Sequence, residues 1–258
     1  MNLLRSLLLF VFLSAFFLWA CKKEKALVIP EDLEFPAAVK DHPIVRHSAY
    51  ALSYNEKHEQ ADWVAYHLTK AHVLDKSYKR SGDFRPDEKI ATQSAQLSDY
   101  KPTEKIYARG HLAPAGDFRW SKEAMSESFL MSNMSPMRHR FNGGKWLYLE
   151  KEVRHWAEIY GDVYVATGPV LEDGLESIGN NKVSVPKKFF KVIMDVNHEK
   201  AIGFIIPQDT KVSFKNYAVP VDEVEKITGL DFFHALDNDR EEKMESRLNL
   251  SQWEFAYY

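Results

Sequence analysis

The run Arg109-Gly110-His111, followed by Asn133, Asn142 and Glu150, gathers in one short stretch the groups that phosphodiester hydrolysis needs. Arg109 is a planar, permanent cation matched to a phosphate. An imidazole such as His111 titrates near pH 6.5 in water, where a general base is useful at neutral pH. Gly110 lets the backbone turn or come close to a ligand. Asn142 offers a hard carbonyl oxygen suited to Mg2+, with Mn2+ as the alternative ion. A helix starting near Asn142 would put Glu150 about 80° round the axis and roughly 12 Å along it. The two cannot both touch one ion, so Glu150 is expected to reach it through water. Taken singly, each piece has a plainer reading: a turn with a surface histidine, a helix cap, a solvated carboxylate.

The elements that must position these groups follow from periodicity. His47–Tyr54 and Asp62–Thr69 alternate and are rich in Tyr, Val and Ala, which predicts a hairpin with residues 55–59 as its loop. Residues 79–104 are polar, with Gly82, Pro86 and Pro102, and read as a long irregular connection of the kind that is usually functional. Ile106–Ala113 is a short extended entry, and Ser121 caps one or two helical turns over 122–129. From Asn142 the spacing of Trp146, Leu149, Val153, Trp156 and Tyr160 predicts an amphipathic helix ended by Gly161. Strands are expected at 163–167, 189–196 and 202–206, and a short helix over 221–230. No linker divides residues 45–258, so they form one α+β domain.

Composition is that of an ordinary globular chain of 258 residues, 45% hydrophobic and 28% charged, with a net charge of −3. Charge is unevenly spread. Residues 105–154 carry nine Lys and Arg against five Asp and Glu, a local +4. Residues 222–254 carry ten acids against four bases, a local −6. A basic face on an acidic protein attracts a polyanion within a Debye length.

At the N-terminus, Arg5 precedes an apolar run from Leu7 to Ala20 that is too short for a comfortable membrane span. The run ends Leu18-Trp19-Ala20-Cys21, and Cys21 is the sole cysteine. Leu-x-Ala-Cys resembles the lipobox of bacterial lipoproteins. That resemblance implies a signal peptide over 1–20, acylation of Cys21, a tether over 21–44, and a protein held by lipid on a membrane outside the cytoplasm of a bacterium.

Tyr107-Ala108-Arg109-Gly110-His111-Leu112 resembles the Asp-Arg-Gly-His signature of the DNA/RNA non-specific endonucleases. Leu130-Met131-Ser132-Asn133-Met134-Ser135-Pro136 is similar to that family's Leu-Ser-Asn-x-x-Pro stretch. Phe141-Asn142-Gly143-Gly144-Lys145-Trp146-Leu147-Tyr148-Leu149-Glu150 is similar to its Leu-Asn-Gln-x-x-Trp-x-x-Leu-Glu stretch. Flanking matches at Trp63–Leu68, Phe84–Asp87, Val165–Pro169 and Val185–Lys191 extend the likeness over about residues 47–235. The resemblance implies a ββα-metal (His-Me finger) nuclease fold, with a central antiparallel or mixed sheet flanked by helices. It implies Mg2+-dependent, sugar- and sequence-nonspecific cleavage of DNA and RNA to 5′-phosphate ends. His111 would be the general base and Asn142 the direct ligand of the ion. Glu150 would hold water on that ion, Arg109 would contact phosphate, and Asn133 would steady the site. An upstream arginine also serves the family, and Arg80 and Arg85 are both candidates. Arg138 and Arg140 are further candidates for the substrate backbone, and a second copy of the chain is a further candidate partner.

The chain departs from the family pattern at three positions: Ala108 replaces the motif Asp, Gly143 a Gln and Met137 a Gln. Ala108 supports a rival reading, a nucleic-acid-binding surface protein with weak or no turnover, which predicts salt-sensitive binding without cleavage. A zinc hydrolase fits less well. His58-Glu59 and His198-Glu199 begin a His-Glu-x-x-His pattern, but Asp62 and Ile202 stand where the second His should be.

Overall fold

The computed structural model describes residues 29–257. Its strands are β1 (Ile44–Arg46), β2 (Ala51–Asn55), β3 (Gln60–Thr69), β4 (Tyr107–His111), β5 (Met134–Arg138), β6 (Asp162–Pro169), β7 (Ser177–Ile178), β8 (Val183–Ser184), β9 (Lys188–Asp195), β10 (Lys200–Pro207) and β11 (Ala218–Val219). Seven of them form the main sheet in the order β1-β2-β3-β6-β9-β10-β11. Every pairing in it is antiparallel, so the mixed alternative drops out. β4 and β5 form a separate ribbon, as do β7 and β8.

The sheet is covered on both faces, which is why its strands are apolar on both sides. Along β3, Val64, Tyr66 and Leu68 enter one cluster, while Trp63 and Ala65 enter the other. The first cluster receives the helix Leu147–Tyr160 through Leu149, Val153, Trp156 and Ala157. These sit at i, i+4, i+7 and i+8, one stripe of a 3.6-residue period. Burying each of the larger ones stabilises by about 1.5–3 kcal/mol, which pins the helix to the sheet. The second cluster receives two helices, Val221–Thr228 and Asn238–Glu245, through Val221, Val224 and Met244.

The predicted hairpin is β2–β3, and Ser121 caps Lys122–Glu127 by accepting from the Ala124 amide. Other details differ. Leu33 and Phe35, expected in a tether, are buried in the second cluster, so the folded body begins before Pro43. Residues 1–20 and Cys21 lie outside the described residues. The helix expected from Asn142 begins at Leu147. Asn142–Trp146 is a wide π-type turn interrupted at Gly144 (φ −121°, ψ −106°), a conformation open to glycine. The ideal-helix spacing between Asn142 and Glu150 therefore does not apply.

Candidate active site

The site is a ββα unit made of the β4–β5 ribbon, the Asn142–Trp146 turn and the helix Leu147–Tyr160. Strand alternation puts Tyr107, Arg109 and His111 on one face of β4, and Ala108 and Gly110 on the other. Their directly opposed partners are Arg138, Pro136 and Met134 on the first face, and Met137 and Ser135 on the second. Gly110 is required locally, because a β-carbon there would overlap the Met137 side chain.

Each end of the ribbon is fastened. Trp146 is fully buried, and its indole Nε1–H donates to the His111 carbonyl at 3.1 Å, which ties the turn to the end of β4. Asn133 clamps the residues after His111. Its Nδ2 donates to the carbonyls of Ala113 (2.9 Å) and Ser128 (2.8 Å), and its Oδ1 accepts from the Ala113 amide (2.9 Å). The Asn133 side chain is thus engaged with backbone and ties down the segment that follows β4.

His111 is 6% exposed, and its ring stands edge-on to Phe129 (4.9 Å) and Phe84 (5.8 Å). Arg109 lies over Phe84 at 4.4 Å and Arg80 over Phe129 at 4.7 Å. Neither arginine forms an ion pair among the described residues. The imidazole therefore sits in an apolar box with two cations beside it, neither held in a salt bridge. Burial, then Arg80 and Arg109, pull its pKa down to about 3. His111 Nε2 and Arg109 Nε are both enclosed without a hydrogen-bond partner among the described residues. Buried polar atoms are seldom left unpaired, and two at one place mark a position prepared for something else.

The two candidate arginines lie in different surroundings. Arg80 acts on both His111 and Glu150, whereas Arg85 donates to the Asp83 carboxylate (3.0 Å) and the Ser126 carbonyl (3.0 Å). Arg85 is thus tied to its own loop, and Arg80 lies nearer the imidazole in its electrostatic effect. Arg138 lies over the Tyr107 ring at 5.7 Å and lines, with Lys187 and Gln208, a cavity of about 420 Å³ on the Tyr107 side of the ribbon. Arg140 is exposed beyond it.

Glu150 is 9% exposed, and burial raises its carboxyl above the ordinary range, against the pull of Arg154, Lys191 and Arg80. Beneath it lies a polar cluster. Arg154 Nη1 donates to Asp117 Oδ1 at 2.6 Å, and the Tyr66 hydroxyl donates to Asp117 Oδ2 at 2.8 Å. Lys191 is fully buried, donates to Thr167 Oγ1 at 2.9 Å and lies 4.6 Å from the Trp146 ring. Burial lowers the Lys191 amine, and Glu150 and Asp117 oppose that shift. Sequence reasoning missed this cluster as a site component. Its signals were a lysine inside an apolar strand, and an arginine one helical turn beyond Glu150. Asn142, half-buried, makes no side-chain hydrogen bond among the described residues, and neither does Glu150. Free hard oxygen donors of this kind fit a divalent cation.

The sequence profile described as DNA/RNA non-specific endonuclease matches residues 32–239. Mitochondrial nuclease EXOG of Danio rerio is 32% identical over 210 residues, covering 74% of this chain and 61% of its own length. The chain thus spans about six tenths of the length of such EXOG relatives, 58% for the Xenopus laevis protein. Mitochondrial endonuclease G of Homo sapiens is 33% identical over 204 residues, covering 71% of this chain and 67% of its own. A crystal structure of the EndoG/EndoGI complex superposes with a TM-score of 0.69 at 34% identity, covering 76% of this chain and 88% of that one.

These relatives correct the expected location. An extracytoplasmic bacterial lipoprotein, with a signal peptide and acylated Cys21, does not agree with matches to mitochondrial nucleases of Danio rerio, Xenopus laevis and Homo sapiens. Among the described residues, no helix is long and apolar enough to cross a membrane. The same relatives correct the expected membrane partner. The homodimer expectation is likewise corrected, since the solved neighbour is EndoG in complex with EndoGI.

Proposed function

Because this chain belongs to the DNA/RNA non-specific endonuclease family, we propose that it hydrolyses phosphodiester bonds of DNA and RNA with a divalent cation, leaving 5′-phosphate and 3′-hydroxyl ends. The observation that carries the reading is the unpartnered His111 Nε2 beside the unpaired Arg80 and Arg109, on a ββα unit. His111, neutral at physiological pH, accepts a proton from water, whose oxygen then attacks phosphorus while the P–O3′ bond breaks and the departing 3′ oxygen takes up a proton from solvent. Arg109 and Arg80 hold the phosphate and offset the added negative charge. The arriving phosphate also offsets their effect on the imidazole, so substrate makes His111 a stronger base than it is in the free protein. Access to Nε2 depends on the arginine side chains moving onto the phosphate.

Asn142 would hold the cation and Glu150 would face it from the helix. Mg2+ or Mn2+ there supplies Lewis-acid stabilisation of charge on the phosphate. Lys191 and Arg154 oppose the burial that favours the neutral form of Glu150, and Asn133 fixes the backbone after His111. Arg138, with Tyr107 on the His111 face of β4, extends the contact along the strand. Contacts to phosphate carry no base information, which agrees with cleavage that ignores sequence.

Plasmid and RNA cleavage should require Mg2+, stop in EDTA, and fall by at least a hundredfold in His111→Ala. Equal cleavage by His111→Ala would remove the imidazole from the role of base. The binding-only reading rested on Ala108, and Ala108 lies on the β4 face away from Arg109 and His111.

A further inference from the structure

The sheet face away from His111 carries dense negative charge. Asp222 and Glu225, from the helix Val221–Thr228, meet Glu245, from Asn238–Glu245. One carboxylate oxygen of each lies within 4.8 Å of the others. With Asp231, Glu241 and Glu242 they line a cavity of about 600 Å³.

Glu245 is 4% exposed, and its Oε1 is enclosed without a hydrogen-bond partner among the described residues. A buried carboxylate with no donor is costly, so its retention calls for a missing partner. The charges nearest to it, Glu225, Glu241, Asp222 and Asp231, are all acids. The basic groups of these helices are engaged elsewhere. Lys226 pairs with Glu223 at 3.6 Å, and Arg240 and Lys243 both pair with Glu199, at 3.4 and 2.5 Å. His234, exposed, is the basic side chain on the cavity wall.

We propose that Asp222, Glu225 and Glu245 form a second cation site, across the main sheet from His111, which takes Ca2+ and fastens the two acidic helices together. The donors are all carboxylate oxygens, the chemistry of a hard cation. Ca2+ accepts six to eight oxygens at 2.3–2.6 Å in irregular geometry, so two of them can stand up to about 5 Å apart. Mg2+ demands a near-ideal octahedron and gives up its waters reluctantly, which suits three carboxylates brought together from two helices less well. Glu225 is already oriented, because its Oε1 accepts from the Phe232 amide at 2.8 Å while Oε2 stays free for the ion. Exposed Asp222 leaves one side open for water to complete the shell.

The test uses the full chain carrying Asn142→Ala, which removes the proposed ligand of the active-site ion. Calorimetric titration with CaCl2 should show one binding event, weakened at least tenfold by adding Glu245→Gln. Ca2+ should raise the melting temperature of the Asn142→Ala parent and leave the Glu245→Gln protein unmoved. In EDTA the Glu245→Gln protein should melt at or above its parent, which also shows that it folds. Should it not fold, Asp222→Asn, at an exposed position, replaces it, with the same tenfold loss expected. Absence of a binding event at millimolar Ca2+ would overturn the proposal and leave a protonated Glu245. So would equal affinity in the folded variant.

Discussion

The depressed pKa of His111 makes a quantitative statement about acid stability. In an unfolded chain a histidine titrates near pH 6.5, and in this site near 3. Between those values the unfolded state binds the proton and the folded state does not, so stability falls as pH drops below 6.5. The full difference is worth about 5 kcal/mol, and it is lost by pH 3. Between pH 7 and pH 5 the loss is about 2 kcal/mol. For a domain of this size that is about 4–8 °C in melting temperature. The perturbation is His111→Asn, which keeps a polar side chain and cannot titrate. Other shifted groups, such as His58 and His67, remain in both proteins and cancel. Melts followed by circular dichroism in EDTA at pH 7 and pH 5 give the two differences. The wild-type drop should exceed that of His111→Asn by about 4–8 °C. Parallel drops would refute the reasoning, because they would mean that the imidazole takes up its proton in the fold as readily as in water.

Ala108→Asp should leave the cleavage rate within about threefold and cost about 1 kcal/mol, since Met137 opposite it can donate no hydrogen bond. Adding Met137→Gln should restore the urea midpoint, and a tenfold rate gain from Ala108→Asp alone would show that position 108 serves the reaction directly. Asn133→Ala removes three buried hydrogen bonds and should cost about 2–4 kcal/mol in urea unfolding. Its Mg2+ half-saturation should stay put, and a tenfold shift there would return Asn133 to the ion.

Much of the site was legible because its local chemistry repeats a family pattern. The order β4, β5, helix follows from the motif sequence, and the β2–β3 hairpin from alternation. The periodicity places the start of the helix too early because Trp146 continues the apolar stripe, while the interruption lies in the backbone at Gly144, which carries no side chain to signal it. Arg80 and Arg85 are equivalent on paper; what separates them is the Phe129 face under one and Asp83 beside the other. Arg154 follows Glu150 by one turn of the same helix, but Asp117 and Lys191 come from two other elements, and only tertiary packing brings them under Glu150. Ala108 looked like a missing carboxylate at the reacting centre. The ribbon register shows instead that two departures from the family pattern, Ala108 and Met137, are a matched pair of opposed residues on the other face.

The main sheet also divides the molecule electrically. The basic stretch 105–154 builds the His111 side, and the acidic helices cover the other. A nucleic acid strand attracts one side and repels the other, so the protein experiences a torque as it approaches. Encounters are thereby biased toward the orientation in which the imidazole meets phosphate, and less of the random rotational search remains. Added salt shortens the reach of that torque, so the fraction of collisions that arrive facing the right way should decline before contact itself weakens.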